Sequence, residues 1–237
     1  MIQDRWQLFR GLPGILLCLT LCGIFLPLLA GQGLAFRDTA HFYSPSFAWQ
    51  VEQWRDGSIP LWNDQEGLGT DVVGDGSSSV FYPGKLLLVA LPFPWATRLN
   101  LYILAHLLLA AAGSYRLAGS WKLGRAPAFL AATAYSLSGP VLSLHANIPF
   151  LVGAAWLPWA IQALDQLLRR GQRSAVLSLA LVLALMVLGG DPQAAYHVGL
   201  AGGLYLLMLP RRISGRSRRQ GLALLASAAL LASLLSA

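Results

Sequence analysis

The sequence predicts an all-α fold: a polytopic transmembrane helical bundle of about seven spans, N-terminus inside, with a long outer first loop carrying interfacial helices. Three observations predict it. Of the 237 residues, 56% are hydrophobic and only 11% charged, against about 45–50% and about 25% in an ordinary soluble domain. The mean hydropathy is +0.57. The apolar residues fall in runs close to the roughly 17–25 residues that cross a bilayer, and short basic clusters alternate with acidic segments between them. A typical cytosolic enzyme, a disordered chain and a disulfide scaffold are excluded.

The first run, residues 11–30 (GLPGILLCLTLCGIFLPLLA), follows Arg5 and Arg10. It is longer than the 7–15 residues of a signal-peptide core, and Leu28-Leu29-Ala30 is a poor cleavage site, so it reads as an uncleaved anchor. Cys18 and Cys22 lie four apart inside it and read as small packing residues, with no disulfide or metal framework around them. Residues 31–84 then form an outer loop of about 54 residues, long enough to carry structure or function of its own. Within it, Phe47, Val51 and Trp54 recur at helical spacing over 39–56, predicting a helix that lies on the bilayer surface. Residues 64–79 are rich in Gly, Asp and Ser and predict turns. A second short element, 85–95, is broken by Pro92 and Pro94. Further spans are expected at 96–115, 127–143, 150–168, 174–190, 194–209 and 220–237.

With the N-terminus inside, the inner segments hold 13 basic residues against Asp4 and Asp165, a net of +11. The outer segments and their borders hold Arg37, Arg55, Lys85 and Arg98 against eight acids, a net of −4. Basic residues retained on the cytoplasmic side are the signature of N-in orientation. The total of +7 is therefore a topology signal; nucleic acid is not an expected partner. The Arg211–Arg219 cluster reads as a topology determinant near anionic lipid.

Few residues suit chemistry. Asp38 follows Arg37 just after the first span, with His41 three residues on; in an α-helix both project from one face. The pair suits a general base, metal ligation, or both, while capping of the following helix is the commoner role for such an aspartate. Asp64, Glu66, Asp71 and Asp75 do not match a calcium-loop spacing. Asp191, in Gly189-Gly190-Asp191-Pro192-Gln193, either caps the next helix with Pro192 at its first position or serves a cavity at the outer boundary. His106, in mid-span, reads as a neutral packing histidine facing the bundle interior. His145 and Asn147 lie in a short outer loop within reach of an external cavity. Asp165 and Arg169 read as an i,i+4 pair.

The order of motifs carries more. Arg37-Asp38 and Ser44-Pro45 precede GSIPLWN (57–63), GLGT (67–70) and VFYP (80–83). LAHL (104–107), AYSLSG (134–139), HAN (145–147), Trp156-Leu157-Pro158 and GDPQ (190–193) follow. This series resembles the N-terminal portion of YfhO-like bacterial membrane proteins, which are grouped with GT-C-type glycosyltransferases. The resemblance runs from about 37 to 197. It implies a single GT-C-like transmembrane domain over 1–237 in the bacterial inner membrane, shorter than full members and so expected to be incomplete at the C-terminus. It also implies transfer of a sugar from a polyprenyl-phosphate-linked donor to a cell-envelope glycan acceptor on the outer face. Asp38 matches the acidic catalytic position of that class. Arg37, His41, Arg55, Trp62, Asn63, Tyr82, Lys85, His145, Asn147, Asp191 and Gln193 are the candidate substrate contacts. A divalent cation at Asp38 and His41 is an open option. The alternatives are a non-catalytic membrane module that binds lipid-linked glycan or a partner transferase, and a transporter, whose internal repeats are not evident here.

Overall fold

The computed structural model describes residues 12–34, 36–170, 172–208, 212–213 and 216–237. Asp4, Arg5, Arg10 and Arg211 of the charge map lie outside the described residues, as do the side chains of Arg212 and Arg216.

The first apolar run is helical as α1 (Leu12–Ile24) and α2 (Leu26–Leu29), with a break at Phe25 just before Pro27, which has no N–H to continue the ladder. The outer loop has a π-helical turn (Thr39–Tyr43) running into α3 (Ser44–Arg55), a hairpin of β1 (Trp62–Asn63) and β2 (Thr70–Asp71), and α4 (Pro83–Val89). Then come α5 (Trp95–Ser120), α6 (Arg125–Ser136), α7 (Gly139–Ser143), α8 (Ile148–Leu168), α9 (Ala175–Leu188) and α10 (Pro192–Met208). A second small hairpin, β3 (Arg212–Ile213) with β4 (Arg216–Ser217), leads into α11 (Arg218–Ser236). The all-α expectation holds, and the two hairpins are four two-residue strands.

Three of these helices, α5, α8 and α11, are long and apolar enough to cross a membrane; Gly14–Ile24 and α9 are apolar but shorter. The run expected as one span over 127–143 is divided between α6 and α7. Ser138 caps α7 and Pro140 sits in its first turn, so the helix restarts there. At 17 described residues, α10 stands at the lower end of the spanning range. Cys18 is exposed on α1 and Cys22 half-buried, and both are free thiols.

Helix α8 is the centre of the bundle, packed against α5, α9 and α10. It contains Pro158, so the carbonyl four residues earlier, on Ala154, loses its helical donor. Tyr135 of α6 supplies the replacement, its hydroxyl donating to Ala154 O at 2.8 Å. Trp159 donates to the carbonyl of Leu109 in α5 at 3.0 Å. That approach needs Gly113, where a Cβ would stand 2.5 Å from Trp159 Nε1.

Two polar clamps mark opposite ends of the bundle. At one end, buried Asp165 accepts from Arg169 Nε (2.7 Å), Arg170 Nε (3.1 Å) and the Tyr205 hydroxyl (3.2 Å), while Arg170 also donates to Ser120 O at the end of α5. At the other, Asn100 of α5 donates to the carbonyls of Leu28 (3.0 Å) and Gln32 (2.8 Å), at and just past the end of α2. There Gly190, at φ +90°, lies against the 76–79 turn and Pro149; a Cβ would meet Ser79 Oγ at 2.8 Å and Gly76 O at 2.9 Å. The aromatic outer loop is thereby seated on the starts of α8 and α10.

Candidate functional site

Asp38 stands between two backbone irregularities. Arg37 before it is left-handed, at φ +51°, a conformation that costs a non-glycine residue about 1–3 kcal/mol. After it comes the π turn, whose Ser44 N–H reaches back five residues to Thr39 O. Asp38 makes no side-chain capping bond and is exposed, so the capping role common at such a position is not the one it plays here. The π turn also changes the facing geometry. It carries more residues per turn than an α-helix, and His41 lines a cavity that Asp38 does not.

Tertiary bonds fix this segment to the HAN loop. The Thr39 hydroxyl donates to His145 O, and the Tyr43 hydroxyl donates to Asn147 Oδ1 at 2.9 Å. The His145 ring bonds Leu142 O through Nδ1 at 2.6 Å and stands 6.3 Å from the Phe36 ring. Burial, and next the Asp38 and Asp75 carboxylates, hold the Tyr43 hydroxyl above its usual pKa. It therefore stays a donor. Asp75 accepts from Ser77 N (3.0 Å) and Ser77 Oγ (2.8 Å), fixing the turn that packs on Gly190. The structure thus gathers Asp38, His145 and Asn147 at one place, with Thr39, Tyr43 and Asp75 added.

His41 lines a separate cavity of about 310 Å³ with Phe42, Pro45, Ser46, Trp49, Asn63, Gln65 and Glu66. Trp62 is exposed in the hairpin, over Gly69; at φ +103°, a Cβ there would stand 2.6 Å from the indole. Arg37, Arg55 and Gln193 are exposed. Arg98 is fully buried. Its Nη2 donates to Leu91 O, while Nε and Nη1 meet no acceptor among the described residues. Arg55 is close enough to repel it, and neither forms an ion pair among the described residues.

Three of the candidate contacts, Lys85, Tyr82 and Asp191, face inward. Lys85 is buried, donating to Gln50 Oε1 at 3.1 Å and to Ser78 O. Desolvation lowers its pKa to about 7. Tyr82, 2% exposed, bonds His106 Nε2 at 2.9 Å and accepts from Trp156 Nε1 at 2.9 Å. Burial raises its pKa to about 12. His106 bonds Tyr102 O through Nδ1 at 2.7 Å and is the buried packing histidine its mid-span position implies. Asp191 caps α10, accepting from Ala194 N at 2.8 Å, with Pro192 at the first position. Burial raises its pKa, partly offset by that bond and by His197.

A larger cavity, about 550 Å³, lies at the Asp165 end between α8 and α10. It is far from Asp38 in the fold and has only the clamped Asp165, Arg169 and Tyr205 as chemistry.

A family model described as "Bacterial membrane protein YfhO" matches residues 12–237. The chain belongs to the YfhO family of bacterial membrane proteins. No curated protein and no solved structure matches it. In this YfhO chain several resemblance motifs meet one another in space. GSIPLWN meets GLGT through Trp62 on Gly69, and Tyr135 of AYSLSG bonds the Ala154 carbonyl that Pro158 leaves free. VFYP, LAHL and Trp156 meet through Tyr82 and His106. Among the described residues no three His, Cys, Asp or Glu side chains gather as a metal site. Asp38 and His41 alone do not make a cage for a divalent ion. Tyr43, Trp49 and Asp75 were not legible as site residues, because their roles depend on partners remote in sequence or on a cavity wall.

Proposed function

We propose that this YfhO chain carries the outer-face active site of a GT-C-type glycosyltransferase of the bacterial inner membrane, with a polyprenyl-phosphate-linked sugar as donor and an envelope glycan as acceptor. The observation that carries the reading is Asp38: an exposed carboxylate, free of capping duty, held between a left-handed residue and a π turn and latched to the HAN loop. Strained backbone and π turns concentrate at functional sites. In the reaction an acceptor hydroxyl attacks the anomeric carbon and its proton passes to the Asp38 carboxylate. The bond from that carbon to the phosphate oxygen breaks, and the lipid phosphate leaves with the electron pair. Arg55, exposed and without an acid partner among the described residues, is the cation suited to that phosphate, with Arg98 buried close by. Lys85, held by Gln50 and Ser78, is not.

An N-in topology of about seven crossings goes with this reading. It is supported by the clamp joining Ser120, Asp165, Arg169 and Arg170 at the end opposite to Asp38. Asp38→Asn keeps the side-chain size and removes the base. In membranes supplied with lipid-linked donor, it is expected to lower transfer about 10²–10⁴-fold, the range for a lost general base. Unchanged transfer overturns the assignment; donor binding without turnover in the parent chain identifies the non-catalytic module instead.

A further inference from the structure

We propose that the cavity under α3 is a binding site for a neutral sugar ring. One wall is a single helical face, Phe42, Pro45, Ser46 and Trp49, spaced at three and four residues. The other is the 63–66 turn, held by Asn63 Oδ1 accepting from Gln65 N at 3.0 Å. The volume of about 310 Å³ is at the small end of ligand cavities.

Three features define the ligand. Trp49 is 8% exposed, and its indole N–H has no partner among the described residues. An orphaned buried donor costs about 1–3 kcal/mol, and a ligand hydroxyl oxygen supplies the acceptor. Second, the lining mixes two aromatic side chains with the His41 imidazole, a hydroxyl, two amides and a carboxylate. That mixture suits a molecule with apolar C–H faces and a rim of hydroxyls, each able to donate to Glu66 and to exchange bonds with Gln65. Third, no Lys or Arg lines the cavity. A phosphate is not the occupant; in the proposed reaction it belongs with Arg55.

This inference deepens the transferase reading and rests on it only for the role of the bound sugar. The test uses the full chain in phosphatidylethanolamine–phosphatidylglycerol nanodiscs. Binding of the methyl glycosides of glucose, galactose, mannose and N-acetylglucosamine is followed by saturation-transfer NMR, with choline as a cationic competitor. At least one glycoside is expected to bind, and Trp49→Phe, which removes only the N–H and the larger ring, to weaken it about tenfold, the equivalent of one hydrogen bond. Glu66→Gln and Gln65→Ala, on the exposed rim, keep the test decisive if Trp49→Phe does not fold. The proposal is overturned if no glycoside binds, if the rim variants leave binding unchanged, or if choline binds in preference. Transfer that depends on Asp38 without glycoside binding removes this site and spares the transferase. Glycoside binding with Asp38-independent transfer does the reverse.

Discussion

Buried Lys85 shows what the outer loop requires of single residues. Its ammonium is desolvated, and the pKa falls from 10.5 to about 7. The unfolded chain therefore holds a proton on this lysine between about pH 7 and 10.5 that the folded chain does not, so stability rises with pH across that window. Below about pH 7 both states are protonated and the folded state bears the full cost of the buried charge. Melting temperature is expected to climb from pH 7 toward 10, and Lys85→Met to flatten the climb; an identical slope in both proteins contradicts the assignment. Asp191 makes the complementary case for geometry. It faces Gly153 so closely that a Cβ there would stand 1.9 Å from Asp191 Oδ2 and 2.9 Å from Ala194 Cβ. Gly153→Ala is expected to destabilise by about 1–3 kcal/mol through overpacking, and Asp191→Ala by about 1 kcal/mol through the lost cap. Asp191→Asn, an equally good cap, should melt close to the parent. The capping role at Asp191 was legible because Asp-Pro before an apolar run is a local signal. Asp38 stands at the start of a helical segment without making a cap, and the π turn that follows it is tied by tertiary bonds to residues more than 100 positions away.

At the scale of elements, hydropathy located most of the helices, because each apolar run must satisfy its own backbone in lipid. It could not divide 127–143 at Ser138, nor see that α8 tolerates Pro158 only because Tyr135 stands beside it. The links between elements were the hidden part. Tyr82, Lys85 and His106 read as polar groups near a membrane, which from sequence alone suits substrate contact as well as internal bonding; what decides is the pairing of α4 with α3, α5 and α8. Tyr82→Phe tests that pairing. It leaves the Trp156 N–H without an acceptor and His106 Nε2 without a donor, at a cost of about 1–3 kcal/mol for each. A lower melting temperature is expected for the purified variant, and a stability equal to the parent rules out the linkage.

For the whole molecule, the proposed outer-face site calls for the orientation that the charge split by side predicts, and the two polar clamps lie at its two ends. The Asp165–Arg169–Arg170 clamp closes one end, and the acidic, aromatic loop covers the other. Single cysteines placed at exposed Ser58 and Lys122, in a chain freed of Cys18 and Cys22, report the sides directly. A membrane-impermeant maleimide applied to right-side-out vesicles is expected to label position 58 and to spare position 122. The opposite pattern would invert the topology and put Asp38 in the cytoplasm.

The bonds around His106 have one further consequence. Tyr102 O can only accept, so His106 carries its proton on Nδ1 and offers Nε2 as a lone pair. Trp156 can only donate, so the Tyr82 hydroxyl must point its hydrogen at that lone pair. Every arrow in the series is pinned at both ends, and the series has one polarity. A proton wire must be able to reverse its arrows after each passage. This one cannot, so the histidine in the middle of the bundle acts as a strut under the outer loop and not as a proton relay.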